Sequence, residues 1–289
     1  MKAKFFLGIA AMILLASCEE TVEIEVSYDA DEALSVFSAT TEVPLTRTSL
    51  SVYTDGDDCY SLKWTSGDAI SITDGVSTAV YTTSDNYTST AEFVCSEGKI
   101  SNTASQYVAF YPAAITATNM VLPSAQNYVE ENIENFPMRA VSCNKDLAFK
   151  NLCGVIRFCL KSEEVGQIEI SSISLSADKG MSGSFTVGGD GAAVVAGTDG
   201  VVLSCAEPEM LYATSATDFN IVVPQGDYNP LKVKICDADG KEVNLISEGA
   251  ISVKRSQITR ISLTLAKSTF DTTLERIPIT DSDVDFTER

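Results

Sequence analysis

The sequence predicts an all-β chain, arranged as two β-sandwiches in tandem behind an export signal. Three observations predict it. Apolar and polar residues alternate with period two through nearly the whole chain, as in Thr21 to Val26, T-V-E-I-E-V. The apolar runs are short, rich in Val, Ile, Thr, Tyr and Phe, and end at Gly, Asp, Asn, Ser or Pro. Finally, Tyr107 to Pro112 is echoed by Phe219 to Pro224, and in both an apolar strand stops at a proline, which cannot continue a central ladder. Two similar sandwiches would produce this echo, and so would chance likeness between two strands.

The first residues set the compartment. Lys2 and Lys4 form a basic head, and Phe5 to Ala16 is an almost unbroken apolar run with small residues before Cys18. That is the layout of a secretory signal peptide, residues 1–17, too short and wrongly flanked to span a membrane. Leu15-Ala16-Ser17-Cys18 resembles the lipobox of bacterial lipoproteins, which makes Cys18 the lipidated mature N-terminus. Two or more acyl chains hold a protein on a bilayer stably. No second stretch approaches the ~20 apolar residues of a spanning helix.

Charge narrows the partners. The whole chain carries 20 basic and 40 acidic residues, a net charge of −20. Such a surface repels nucleic acid phosphates, so no nucleic-acid partner is expected. It also repels anionic headgroups, which leaves anchoring to the lipid.

The expected strands run in two series. The first holds Leu34–Ser38, Tyr60–Trp64, Ala69–Thr73, Thr78–Thr82, Ala91–Cys95 and Tyr107–Tyr111. The second holds Leu147–Asn151, Gly154–Leu160, Ile168–Leu175, Gly183–Val187, Val201–Ser204, Phe219–Val223, Leu231–Cys236 and Ile258–Leu265. Asp-Gly pairs at 55–56, 74–75, 199–200 and 239–240 mark turns, the last as a hairpin between 232–236 and 241–245. The one candidate helix covers Tyr128 to Phe136. A polar stretch at Ser142–Asp146 separates the series. The expected organisation is a lipidated segment at 18–46, sandwiches at 47–144 and 145–266, and an acidic tail at 267–289, mobile or loosely attached, in which Pro278 interrupts the only strand-like piece.

Catalytic chemistry finds little support, and the chain is expected not to be an enzyme and to need no cofactor or metal. It has no histidine, which removes Ser-His-Asp and Cys-His arrangements. Ser176-Ala177-Asp178-Lys179 matches S-x-x-K, but without the companion elements of that chemistry. Besides Cys18 there are seven cysteines, an odd number with no C-x-x-C. They read as small apolar residues in a reducing habitat, with a disulfide between two of them left open. Asp281, Asp283 and Asp285 lack the spacing of an EF-hand loop. Trp64 reads as a core residue. Arg47, in Pro44-Leu45-Thr46-Arg47-Thr48-Ser49, reads either as a solvent-facing strand residue or as a site for a trypsin-like protease.

Taken in order, a series of motifs resembles the fimbrillin-like family, the major and minor fimbria subunit-like lipoproteins of anaerobic Gram-negative bacteria. The series is the lipobox, Thr46-Arg47-Thr48, Trp64 to Ile72 (W-T-S-G-D-A-I-S-I) and Tyr107 to Pro112. It continues with Leu122-Pro123 followed by Gln126 and Tyr128, Leu147 to Ile156, and Ser256 to Arg260. The resemblance implies two transthyretin-like sandwiches, a surface-exposed lipoprotein of the outer membrane, and assembly with other subunits into a fimbria, or pilus, with a role in cell adhesion. It implies cleavage after Arg47, loss of the strand before it, and filling of the gap by a donor strand from a neighbour. An exposed edge has N–H and C=O groups that such a strand satisfies. Glu19 and Glu20 resemble an outer-leaflet sorting signal, and Asp271-Thr272-Thr273 resembles an O-glycosylation motif with Thr272 as acceptor. A tail only partly strand-like fits a tip or accessory subunit. The alternative is a surface lipoprotein that never polymerises and binds a glycan or another host or bacterial surface ligand. A hydrolase is the least supported reading.

Overall fold

The computed structural model describes residues 36–42, 62–130, 132–133, 136–164, 168–271, 276–280 and 283–286. The chain is all-β. The first strands are β1 (Val36–Thr40), β2 (Ala69–Thr73), β3 (Thr78–Thr82), β4 (Thr90–Glu97) and β5 (Tyr107–Tyr111). Then come β6 (Val121–Leu122), β7 (Ala125–Asn127), β8 (Met138–Ser142), β9 (Asp146–Ala148) and β10 (Lys150–Asn151). Period two produces them directly. In β1, Phe37 and Ala39 are fully buried while Val36, Ser38 and Thr40 are half-exposed, and β4 repeats the pattern with Ala91 and Phe93 inside.

The β2–β3 hairpin is set by its turn. The Asp74 carboxylate accepts from the N–H groups of Val76 and Ser77 at 2.9 and 2.7 Å, and Gly75 takes the left-handed φ of 91° the turn requires. An eight-stranded sheet runs β10-β8-β5-β2-β3-β4-β1-β9. Its two ends are consecutive in the chain. β9 lies parallel to β1 and β10 antiparallel to β8, with only Phe149 between them. The Phe149 N–H donates to the Thr40 carbonyl at 2.8 Å, and its ring meets the edge of Trp64 at 5.4 Å. Residues 146–151 thus draw both ends of the sheet around the first core.

The second half begins with β11 (Gly154–Ser162), β12 (Glu169–Ser176), β13 (Gly183–Val187), β14 (Ala193–Val195), β15 (Val201–Met210) and β16 (Thr217–Val223). It continues with β17 (Gly226–Tyr228), β18 (Lys232–Asp237), β19 (Glu242–Ser247), β20 (Ile251–Val253) and β21 (Ile258–Leu265). A sheet β16-β11-β21-β23 faces a sheet β22-β19-β18-β12-β15-β7 across the second core, where β22 is Arg276–Ile279 and β23 is Val284–Phe286. Ile156, Phe158 and Leu160 of β11 meet Ile173 and Leu175 of β12 in that core. The opposite face of β11 starts with Val155, which belongs to the first core with Val222 and Ile258. Burial on both faces explains why Gly154 to Phe158 is buried without a break. The Asp239-Gly240 hairpin joins β18 and β19, with Gly240 at φ 78°.

The sheet changes between Asn151 and Gly154, and β7 crosses over to lie parallel to β15 in the second half. Two features depart from the sequence reading. The expected helix at 128–136 is not helical in its described residues. The tail is docked in its described parts. A 3-10 turn, η1 (Lys267–Asp271), buries Phe270 in the second core, β22 runs parallel to β19 and buries Ile279, and β23 pairs antiparallel with β21. Pro278 is accommodated because β22 is an edge strand, where a missing N–H disturbs no second ladder.

Candidate functional site

The segment that enters the first core from the N-terminal side is held as an interior strand. β1 is antiparallel to β4 across Val36–Thr40 and parallel to β9 across Ser38–Thr40. Phe37 meets Tyr81 and Tyr107 edge to face, each at 5.2 Å between centroids. The Trp64 indole N–H donates to the Ala39 carbonyl at 2.9 Å, and the Thr41 hydroxyl donates to the Leu62 carbonyl at 2.9 Å. Trp64 is a core residue, as the sequence suggests. It is 1% exposed, with Phe93 and Tyr111 against its ring as well as Phe149.

Two residues past β1, Glu42 fastens the segment to the second half. One carboxylate oxygen, Oε2, receives the Arg255 guanidinium Nη1 at 2.6 Å, the Asn151 N–H at 2.9 Å and the Ser256 hydroxyl at 2.9 Å. The same Arg255 nitrogen donates to the Asn151 carbonyl at 2.9 Å. Both ionised side chains are about four-fifths buried. Burial acts to raise the Glu42 carboxyl. The bonds from Arg255, Asn151 and Ser256 and the Arg255 charge outweigh it and hold the carboxyl below its ordinary value near 4.5. Ser256 sits in the turn between β20 and β21 at a left-handed φ of 61°, and its N–H donates to the Cys153 carbonyl at 2.9 Å.

A second junction is made by the strap carrying β6 and β7. The Gln126 carboxamide donates to the Val222 carbonyl at 2.7 Å and accepts from the Val222 N–H at 2.9 Å. It thereby satisfies both outward groups of Val222 on edge strand β16, as a neighbouring strand would. Tyr128 places its ring on Phe219 at 5.1 Å. Beside this strap a cavity of about 440 Å³ is lined by Ile115, Leu122, Met181, Asn220 and Val222 among others, with no ionisable side chain in its lining.

Lys179 of the S-x-x-K match donates to the Gln225 carbonyl at 3.4 Å. Buried Arg157 donates to the Asn220 side-chain oxygen at 2.8 Å and lies 3.5 Å from Asp218. Burial, together with the neighbouring Asp218, pushes the Cys159 thiol up to about 12. None of the six described cysteines is disulfide-bonded, and no group of three metal-ligating side chains occurs among the described residues. No described helix is long and apolar enough to cross a membrane.

Cys18, Arg47 and Thr272, the residues singled out for lipidation, cleavage and glycosylation, lie outside the described residues. The Glu42 junction was not foreseen. Asn151 and Ser256 each stand in a motif of the resemblance, and the fold brings those two motifs together. Glu42 and Arg255 carry no local signal.

No family model and no curated protein matches the sequence. Solved structures do. A proposed cell adhesion protein from Bacteroides ovatus matches at 15% identity with a TM-score of 0.48, over 70% of this chain and 83% of that one. A second proposed cell adhesion protein, from Bacteroides uniformis, matches at 15% identity and a TM-score of 0.47, over 84% and 96%. The tip fimbrial protein Mfa3 from Porphyromonas gingivalis, with C-terminal truncation, matches at 8% identity and a TM-score of 0.33, over 78% and 94%.

Proposed function

We propose that this chain is a lipid-anchored, cell-surface protein of the fimbrillin-like kind, serving as a tip or accessory subunit of a fimbria in adhesion and joined to its neighbour by strand addition. The observation that carries the reading is β1. It is an interior strand, paired on both sides, and it comes from the segment ahead of Arg47. A cut after Arg47 severs that segment from the rest of its sheet, and its loss leaves β4 and β9 with unmatched N–H and C=O groups for a replacement strand. The docked tail supports the tip or accessory role. With β22 and β23 paired within their own molecule, the chain keeps the segment a stalk subunit would hand on. In this reading Cys18 carries the lipid and Thr272 a glycan.

Incubation of the full chain with a trypsin-like protease under native conditions tests the proposal. A single cut after Arg47, followed by uptake of a strand from an added subunit without growth of a homopolymer, is the expected result. Intact protein, or scattered cuts through both cores, would reject it. Mass spectrometry of the native protein reports on Cys18 and Thr272. The neutral cavity favours a second reading, a non-polymerising lipoprotein that binds a glycan. A specific glycan-array signal lost on changing Asn220 would favour that one.

A further inference from the structure

We infer that Arg255, Ser256 and the Asn151 N–H form a carboxylate-binding subsite at the end of the β1 slot, filled here by Glu42, and that any strand replacing residues 36–42 must bring its own carboxylate to it. The inference rests on the strand-replacement reading for its second half only.

Three donors of different origin converge on one oxygen position: a guanidinium, a hydroxyl and a main-chain N–H, at 2.6, 2.9 and 2.9 Å. All three are held in place independently of Glu42. Arg255 is bonded to the Asn151 carbonyl, and the Asn151 side-chain amide donates to the Ser256 hydroxyl oxygen at 3.1 Å. Asn151 itself is placed by β10 pairing with β8. When the segment bearing Glu42 leaves, a partly buried cation and an N–H aimed at a shared point lose their acceptor. Charge-assisted bonds of this kind are the strong ones, and leaving such a donor unmatched is costly. An uncharged amide at position 42 cannot offset the Arg255 charge. Beyond Arg255 and Glu42, the charged groups nearby are Lys150 and Lys254, beside the subsite in sequence, and Asp190, which feels the Arg255 charge. The slot therefore asks for more than an apolar strand. It accepts a large ring at the Phe37 position, a small residue at the Ala39 position, and an Asp or Glu three residues after the small one.

Two measurements test this. In the uncut full chain, hydrogen exchange at residues 37–41 is compared between wild type, Glu42→Gln and Arg255→Met. Roughly ten- to hundredfold faster exchange in both variants is expected, with β2, β3 and β5 unchanged. Unchanged exchange at 37–41, or equal acceleration throughout the first core, overturns the subsite. In the chain cut after Arg47, uptake and release of a labelled peptide spanning residues 34–46 is followed against its Glu42→Gln version. The Gln peptide should leave at least about tenfold faster, and the difference should vanish in Arg255→Met. Equal release overturns the subsite and keeps strand replacement. If neither peptide enters, strand replacement and the requirement placed on the incoming strand both fall. The exchange measurement still decides the role of Glu42 within its own chain.

Discussion

Replacing Phe37 by alanine removes a ring that is fully buried between Tyr81 and Tyr107. Deleting a buried Phe side chain costs about 3–5 kcal/mol when the site cannot collapse. Collapse is hindered here, because both tyrosines belong to other strands and Tyr107 is held by its hydroxyl donating to the Ser101 carbonyl at 2.8 Å. The two edge-to-face pairs place the loss toward the upper part of that range. The assay is urea unfolding followed by Trp64 fluorescence, since the single tryptophan reports on the same core and holds the Ala39 carbonyl. With a slope of about 2 kcal/mol per molar urea, the first-core midpoint should fall by roughly 2 M. Hydrogen exchange should rise first in β1 and then in its partners β4 and β9. A loss below about 1 kcal/mol would show that β1 does not occupy the slot, and the account of the site would fall with it.

Glu42 makes stability depend on pH with a definite sign. Its carboxyl titrates lower when folded, so its contribution is in place above pH about 4.5 and fades as the pH falls through the lower folded value. The urea midpoint of wild type should therefore drop more steeply on acidification than that of Glu42→Gln. Gln126→Ala leaves the N–H and C=O of Val222 without their partner and should cost about 1–3 kcal/mol, seen as earlier exchange along β16. Gly154→Ala places a Cβ 2.3 Å from the Lys254 carbonyl oxygen and 2.6 Å from Val253, so the backbone must move. A loss of about 3 kcal/mol or more in the second-core midpoint is expected.

Where a strand is long enough for alternation to show, the sequence is readable. β2, β3, β5, β13 and β21 have the bounds expected from their alternation and flanking turn residues. β7, β9 and β10 are two or three residues long, so alternation has no room to appear. Tyr128 to Phe136 reads as a candidate helix, whereas its start is fixed by the Tyr128 N–H donating to the Ser204 carbonyl and by the Tyr128 ring packing on Phe219. The tail looked loose because it is acidic and contains Pro278. What docks it are single residues, Phe270 and Ile279, too sparse to form a pattern. The junction at Glu42 was illegible for a different reason. Its partner lies 213 residues away, and one glutamate among 40 acidic residues is not distinguishable until the fold isolates it.

Because residues 146–151 supply both edge strands of the first sheet, the place of β1 is a gap between two strands rather than a margin. Its two walls run in opposite directions, since β1 is antiparallel to β4 and parallel to β9. A strand entering backwards would meet the wrong hydrogen-bonding pattern on both sides at once. Occupancy of the gap is therefore vectorial, and any assembly built through it would have a head and a foot dictated by main-chain geometry.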